Sequence, residues 1–270
     1  MFSRPVQSGF TLIELIVTIV IIGILGVGIA NFIGRSVQGY ADTGERQQLA
    51  TIAWIVSEKL SREIRDALPN SFRLNGDNSC LEFIPTIGGS DYLEVPTSSA
   101  ETTFEVVPFP NYVNADVDST RDRVAVYPNS LTDLYALGNP GTISSSRIDQ
   151  LSAGTTANAL TLELTAAHQF LTDSPTRRVF VVRPPVMYCF DGAFLYRYDD
   201  YGFQGSMPSS GLSNQTVMGS RLANGRFDYV PGTLARNGVV TLGFDVLGDT
   251  VDGPAARQSI NQEVQIRNVP

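Results

Sequence analysis

The sequence predicts an α+β fold in which one long N-terminal α-helix packs on an antiparallel β-sheet head. Two observations lead to this prediction. Up to Leu68 the apolar residues follow helical spacing, first all around the helix and then on one face. From residue 69 onward, short runs rich in β-branched and aromatic residues alternate with turn-forming clusters. Strands that follow a single helix favour an antiparallel sheet over βαβ units.

The first element is an apolar segment at residues 10–34, which we predict to be a transmembrane helix. A helix needs about 20 residues to cross a bilayer core. Glu14 is the one charged residue in this segment. A carboxylate at this depth costs a few kcal/mol unless a partner neutralises it. Arg4, ahead of the segment, predicts a cytoplasmic N-terminus and an exported remainder.

Residues 1–9 are predicted to be a leader peptide that is removed. In a secretory signal peptide, the small-residue cleavage site follows the apolar run. Here the small residue, Gly9, precedes that run. A cut at Gly9 therefore leaves the membrane segment on the mature chain.

The run GFTLIELIVTIVIIGIL, which begins at Gly9, resembles the cleavage and methylation motif of type IV prepilins, the precursors of type IV pilins and type II secretion pseudopilins. The shared features are the glycine, the phenylalanine, a nearby glutamate and the unbroken apolar tail. The resemblance implies that prepilin peptidase cuts between Gly9 and Phe10 and N-methylates Phe10. It also implies that Glu14 meets the Phe10 amine of the adjoining subunit in a filament.

An ion pair of this kind would set the register between apolar helices. Removing one partner of a buried pair leaves an uncompensated charge that costs several kcal/mol. A pair within one chain is the alternative, because Phe10 lies about one helical turn from Glu14. Farther along, Gly26, Ala30 and Gly34 form a row of small residues at helical spacing, which lets helices approach closely in membranes.

Residues 35–68 are predicted to be an amphipathic continuation of the helix, which Pro69-Asn70-Ser71 ends. A helix with one apolar stripe needs a surface on which to bury it, and the sheet provides that surface. The predicted apolar face comprises Leu49, Ile52, Ala53, Val56, Leu60, Ile64, Ala67 and Leu68.

Residues 69–270 are predicted to be a β-rich head that lies in the periplasm and later outside the cell. Asp191-Gly192 predicts a tight hairpin turn, and Asn237-Gly238 predicts the end of a looser hairpin loop. The stretch 138–158 is polar and turn-rich, which predicts an exposed loop. The predicted strand runs are CLEFIP, TFEVVPF, RVAVYP, ALTLELT, RRVFVVRPPVMYCF, AFLYRYDD, RFDYVPG and GVVTLGFDV.

Three strings in the C-terminal part resemble the MshO-type minor pilins of mannose-sensitive haemagglutinin (MSHA) pili. They are FVVRPPVMYCFDGAFLYRY, RFDYVPGTLARNGVVTLGFDV and INQEVQIRNVP. The J-type minor pseudopilins of type II secretion are the related alternative, and a tip adhesin is a further one. The resemblance implies a subunit that takes part in assembly, priming or capping of a type IV pilus.

The same resemblance implies partners and a location. The expected partners are other minor and major pilins, the prepilin peptidase, the inner membrane and the pilus assembly machinery. The chain is expected to cross the inner membrane once before assembly and to join the pilus on the cell surface afterwards.

Composition argues against nucleic-acid binding and against several kinds of catalytic site. The net charge is −8, so electrostatics disfavour a polyanion partner. The single lysine lies in no GxxxxGK loop, and the single histidine, His168, excludes HExxH and paired zinc-binding histidines. A Ser-His-Asp site is not expected either, because the sequence has no GxSxG. We expect no enzyme and no cofactor, with His168 structural.

Several acidic strings are weak calcium candidates. Their spacing does not match the EF-hand loop, which carries carboxylates at alternate positions, a central glycine and a closing glutamate. Solvated acidic loops are therefore favoured over a metal site. The candidates are Asp245, Asp249 and Asp252, then Asp116, Asp118 and Asp122, and finally Asp199 with Asp200.

Cys80 and Cys189 are the two cysteines, and neither belongs to a CxxC motif. In an exported protein an even count favours one disulfide. Two free buried thiols are the alternative, because a bridge requires Cα atoms closer than about 7 Å and sequence cannot show that approach.

An aromatic cluster near residue 200 offers a surface for a sugar or a protein partner. Alternating strand residues more often pack on the helix beneath their own sheet, so adhesion is the weaker interpretation. The cluster consists of Tyr188, Tyr196, Tyr198, Tyr201 and Arg197.

Overall fold

A computed structural model describes residues 9–212, 214–233, 236–248 and 256–266. The chain divides into two compact units, residues up to Gln48 and residues from Leu49 onward. Helix α1 (Leu12–Arg65) supplies the described structure of the first unit almost entirely and continues into the second. The second unit holds the rest of α1 and all the strands.

The described strands are two to ten residues long, and the pairings between them are all antiparallel. A short helix, α2 (Leu131–Ala136), and a 3₁₀ turn at Asn114–Asp116 interrupt them. The described strands are β1 (Arg73–Leu74), β2 (Cys80–Phe83), β3 (Thr86–Asp91), β4 (Glu101–Val106), β5 (Arg123–Val126), β6 (Ile148–Ala153), β7 (Leu160–His168), β8 (Arg178–Val182), β9 (Val186–Asp191), β10 (Phe194–Tyr198), β11 (Thr216–Ser220), β12 (Leu222–Val230), β13 (Gly238–Leu247) and β14 (Arg257–Ile266).

The described strands form four sheets. Sheet A has the order β1-β2-β9-β10-β11, and sheet B has the order β12-β13-β14. Sheet C has the order β3-β8-β5, and sheet D has the order β4-β7-β6. One long N-terminal apolar helix on antiparallel sheets is an α+β, pilin-like architecture, so the predicted fold class is confirmed.

The second part of α1 buries one face against sheets A and B. Its buried apolar residues share a core cluster with residues from both sheets, among them Tyr188 on β9 and Phe227 on β12. Because the spacing of these helix residues is three to four, they form one stripe, as the amphipathic pattern predicts. They are Leu49, Ala53, Val56, Leu60 and Ile64.

Sheets C and D enclose a second core that α1 does not enter. It is built around Val124, Leu162 and Val181, which are fully buried. A smaller cluster joins Leu68 and Ile84 to Tyr135 on α2. The head therefore has one core beneath the helix and another between its own sheets.

Helix α1 ends at Arg65, three residues earlier than the prediction, which placed the end at Leu68. The chain turns into the sheet at this point, since the Leu68 amide donates to the Ile84 carbonyl at 2.8 Å. Ala67 and Leu68 are buried as predicted, although through contacts that follow the helix.

The prediction of an exposed loop at residues 138–158 is wrong. This stretch contains β6, an edge strand of sheet D, and Ile148 on it is fully buried. The hairpin prediction is confirmed, because β9 and β10 pair directly across Gly192-Ala193 and Gly192 has φ +56°. β13 begins at Gly238, where the looser loop was predicted to end.

Candidate assembly site

The predicted cleavage bond lies in exposed chain just ahead of the helix. Gly9 and Phe10 are both outside α1, and the Phe10 side chain is 80% exposed. A Cβ atom added to Gly9 would meet no atom within 4 Å. The chain itself therefore places no steric demand for glycine at this position. Arg4 and the rest of the leader up to residue 8 lie outside the described residues.

Glu14 stands in the first turn of α1, where Thr11 caps the helix. The Glu14 amide donates to the Thr11 carbonyl at 3.1 Å and to the Thr11 hydroxyl at 3.4 Å. Thr11 and Glu14 have the spacing of a capping box, a signal that the sequence analysis overlooked. A carboxylate in this turn also faces the positive end of the helix dipole. Glu14 forms no ion pair with a described residue, and its side chain is exposed.

The helix that follows Glu14 presents apolar side chains all around its surface. Within α1 an 18-residue window has a mean hydropathy of 2.8, and none of that window is buried. By length and composition this helix is able to cross a membrane. Such a surface needs lipid or other apolar helices to cover it, because exposed apolar patches of this size are rare on soluble monomers.

The small-residue row is open in this structure. Gly26, Ala30 and Gly34 are exposed, and a Cβ atom on either glycine would meet nothing within 4 Å. Small side chains are therefore not required by packing within the chain. The open space beside these small residues is compatible with the close approach of a helix from another molecule.

His168 has a structural environment. Its ring is buried and meets the Phe170 ring edge-on at 4.8 Å between centroids. Its Nε2 lies 3.2 Å from the Gly141 carbonyl, and its Nδ1 lies 3.3 Å from both the amide and the hydroxyl of Ser145. Burial lowers the pKa of His168, so the ring is neutral near pH 7.

Asp245 is committed to protein partners rather than to an open cation site. Its carboxylate accepts hydrogen bonds from Asn224 at 2.7 Å, from Ser259 at 2.6 Å and from Arg257. The other two members of that string, Asp249 and Asp252, lie outside the described residues. Within the described residues, no group of three His, Cys, Asp or Glu side chains is arranged to hold a metal ion.

The second acidic string is also bonded within the protein. Asp122 is fully buried and accepts from the Tyr112 hydroxyl at 2.8 Å and from Arg183 at 2.9 Å. Asp118 accepts from the amide of Thr120 at 3.0 Å and from its hydroxyl, and these bonds lower the pKa of Asp118.

The remaining acidic candidates also have protein partners. Asp116 accepts from the Val113 amide at 2.9 Å. Asp199 pairs with Arg197, and Asp200 pairs with Arg121 at 2.9 Å. Asp199 and Asp200 thus have cationic partners within the head, and Asp116 has a main-chain donor.

The aromatic cluster divides between the two faces of sheet A. Tyr188 is fully buried in the core beneath α1, and Arg197 pairs with Glu63 of α1 at 3.1 Å. Tyr201 donates to Glu82 at 2.7 Å. Tyr196 and Tyr198 belong to a row of aromatic rings along β10, with their ring centroids 6.3 Å apart. The five residues thus do not form one surface.

Cys80 and Cys189 form a disulfide between two neighbouring strands of sheet A. They stand directly opposite each other in the β2–β9 register, with 4.1 Å between their Cα atoms. Cross-strand neighbours lie close enough for a bridge without backbone movement.

Comparison with known proteins gives a family match for the N-terminal part of the chain. The family model of the prokaryotic N-terminal methylation motif matches residues 4–30. The N-terminus is prepilin-like. The match includes Gly9, Phe10 and Glu14, with most of the apolar segment. A search of curated proteins found no match, and a search of solved structures found none either.

The motif indicates a type IV pilin-like or pseudopilin-like protein, structural rather than catalytic. Together with the apolar helix it supports a membrane-anchored protein. In general, a prepilin-like motif implies interaction with other pilins and with prepilin peptidase.

Proposed function

We propose that this chain is a minor pilin that is processed between Gly9 and Phe10, N-methylated at Phe10 and inserted into a type IV pilus of the MSHA type. Its work is non-covalent: it takes part in the assembly, priming or capping of the filament. The observation that carries the proposal is Glu14, a lone carboxylate on an exposed apolar helix, within the matched methylation motif.

Cleavage would create a positive charge with which the Glu14 carboxylate is able to pair. The new Phe10 amine is cationic near neutral pH, and it would stand at the N-terminal end of α1. Within one chain, Glu14 lies in the first turn of α1, where its amide donates to the Thr11 hydroxyl. The Phe10 amine of an adjoining subunit would pair with Glu14 and fix the register of two apolar helices that otherwise have little to prevent sliding.

The location follows from this mechanism. Before assembly the chain would cross the inner membrane once, with the leader in the cytoplasm and the head in the periplasm. After assembly the head would lie on the pilus outside the cell. A minor pseudopilin of type II secretion has the same N-terminal chemistry and is the alternative; the genes beside this one would distinguish the two.

The test is Glu14→Ala, with Thr18→Ala as the matched control. Thr18 is a polar residue one turn farther along the same segment, and its hydroxyl donates to the Leu15 carbonyl of its own helix at 2.9 Å. We expect Glu14→Ala to enter the membrane normally and to be incorporated into filaments about tenfold less than the parent, because the amine is left unpaired. Thr18→Ala should be incorporated like the parent.

Membrane fractionation and immunoblots of sheared filaments measure the two steps, and mass spectrometry of the mature N-terminus shows whether the chain begins at Phe10. Normal incorporation of processed Glu14→Ala would reject the pairing mechanism. A mature chain that keeps its leader would reject the processing step itself.

A further inference from the structure

Among the described residues, strand β14 forms an open edge of sheet B. It pairs with β13 over all ten of its residues, from Arg257 to Ile266, with no shift of register. Among the described strands, β13 is its one partner in the sheet. A strand at the edge of a sheet presents a row of unpaired main-chain groups, which another extended chain is able to bind.

The other sheet edges in the described residues are protected by short length or by irregularity. β1 has two residues and β5 has four. The pairings of the remaining edge strands, β3, β4, β6, β11 and β12, each contain a register shift. Such bulges twist an edge and discourage further pairing.

The composition of β14 adds no protection of its own. Its sequence RQSINQEVQI has neither proline nor lysine, the residues that most often block an edge. Arg257 and Glu263 are its two charged residues. The strand is therefore long, regular and nearly neutral where the other edges are short or bulged.

The hydrogen-bond pattern identifies which main-chain groups face outward. The Gly248 amide donates to the Ala256 carbonyl at 2.7 Å, and the two residues are directly opposite in the β13–β14 register. In an antiparallel pair, hydrogen-bonded positions alternate with non-hydrogen-bonded ones. The even-numbered residues of β14 therefore bond to β13. The odd-numbered residues, among them Ser259, Asn261, Glu263 and Gln265, direct N–H and C=O groups to the open edge.

Trp54 shares a face of α1 with Ser61, which is the residue of this helix that bonds to β14. The Gln262 side chain donates to the Ser61 hydroxyl at 2.9 Å, which brings the strand to this side of the helix. Trp54 is seven residues before Ser61, two turns away on the same face. Its side chain is 67% exposed. Tryptophan is enriched among the residues that dominate protein–protein binding energies.

We propose that the open edge of β14, with Trp54 beside it, binds an extended strand from another subunit of the filament. The partner's main chain would bond to the outward N–H and C=O groups, and an apolar side chain of the partner would cover the indole ring. The inference rests on the proposed function, which supplies the neighbouring subunits. The surface differs from the α1 membrane segment, because it belongs to the head.

The test uses the full-length chain in cells that assemble the filament, with a photo-crosslinking amino acid at Gln265, an exposed position at the open edge. Asn261→Pro removes one outward N–H and leaves the bonds to β13 intact, because Asn261 does not donate to that strand. Asn261→Thr is the matched control, since threonine favours strands and keeps the N–H.

We expect the parent and Asn261→Thr to crosslink to a different filament subunit. Asn261→Pro should lower the yield of that adduct about tenfold, and Trp54→Ala should lower it as well. Thermal unfolding of the head and closure of the Cys80–Cys189 bond show that the variants fold. Processing at Gly9 and entry into filaments are measured in the same cells.

Three results would overturn the proposal. The first is an adduct confined to the chain itself, for example to residues 249–255 or 267–270. The second is no adduct at all, and the third is an adduct that folded Asn261→Pro leaves unchanged. With normal processing and incorporation, each of these results rejects the docking edge alone. If the parent chain were neither processed nor incorporated, the minor-pilin function would be rejected. The proposal that β14 binds another filament subunit would be rejected with it.

Discussion

At the scale of single residues, Asp245 was a calcium candidate from its spacing, and in the structure its carboxylate stabilises sheet B. Its carboxylate on β13 binds Asn224 on β12 and both Ser259 and Arg257 on β14. One side chain therefore ties the three strands of sheet B together. The hydrogen bond from Arg257 lowers the pKa of Asp245 to about 2, against the opposing effect of burial.

We predict that Asp245→Asn destabilises the head by about 2 kcal/mol at neutral pH, because bonds to a carboxylate are stronger than bonds to an amide. The folded pKa lies below the unfolded value near 4, so the stabilisation is present above about pH 4. It disappears as the pH falls through about 2. As the pH falls from about 4 to about 2, the Asp245→Asn variant should therefore lose less stability than the parent.

Thermal unfolding of the full chain in lipid nanodiscs measures this effect across pH. Asp228→Asn is the control, because Asp228 is exposed and lies 3.9 Å from Arg226. Parallel pH curves for Asp245→Asn and the parent would contradict the assigned role.

At the scale of elements, α1 was the easiest feature to predict and the sheet edges were the hardest. The stripe from Leu49 to Ile64 repeats at helical spacing, and the structure buries that stripe. β6 was missed because its buried residues, Ile148 and Leu151, are three apart. A bulge between Ile148 and Gln150 produces that spacing, which breaks the alternation by which strands are recognised.

Other elements were missed for related reasons. β14 contains three glutamines, and only three of its ten residues are of the β-branched or aromatic types that mark strands in a sequence. The Thr-x-x-Glu spacing at Thr11 and Glu14, which marks a helix start, was readable from the sequence but was overlooked because the charge of Glu14 in an apolar segment drew the interpretation. The Cys80–Cys189 pairing was one of two alternatives, because sequence does not reveal which strands become neighbours.

The small-residue row allows a prediction about helix packing. Gly26→Leu should reduce incorporation into filaments about tenfold, because a bulky side chain keeps a neighbouring helix at a distance. Gly28→Leu is the matched control: it adds the same side chain to the same helix, about 200° away around the axis. Both positions have room for a side chain to begin, since an added Cβ at either glycine has nothing within 4 Å.

Immunoblots of sheared filaments measure both variants, and membrane fractionation confirms equal insertion. If Gly26→Leu and Gly28→Leu were incorporated equally, the row would have no special part in assembly.

At the scale of the whole molecule, the disulfide closes a long loop around the second core. Cys80 and Cys189 are 109 residues apart, and sheets C and D lie between them in sequence. Closing a loop of this length removes conformational entropy from the unfolded chain, which stabilises the fold by about 5 kcal/mol in the chain-entropy treatment.

We predict that replacing both cysteines by alanine lowers the melting temperature of the head by roughly 10 °C. Thermal unfolding followed by circular dichroism in nanodiscs measures the change. A thiol reductant supplies the control, because it should lower the melting temperature of the parent and leave the double variant unaffected. Equal melting of the parent and the variant would show that the bond adds no stability.

The position of the disulfide also determines how the protein carries mechanical load. The bond joins β2 to β9 and makes no covalent tie between α1 and the sheets. The stripe from Leu49 to Ile64 holds the helix by side-chain packing, with Glu63–Arg197 and Ser61–Gln262 as polar links. A pull along the helix loads these contacts together, in shear, whereas a sideways pull loads them one after another. A covalent bond thus secures the sheet, and non-covalent contacts secure the helix on it.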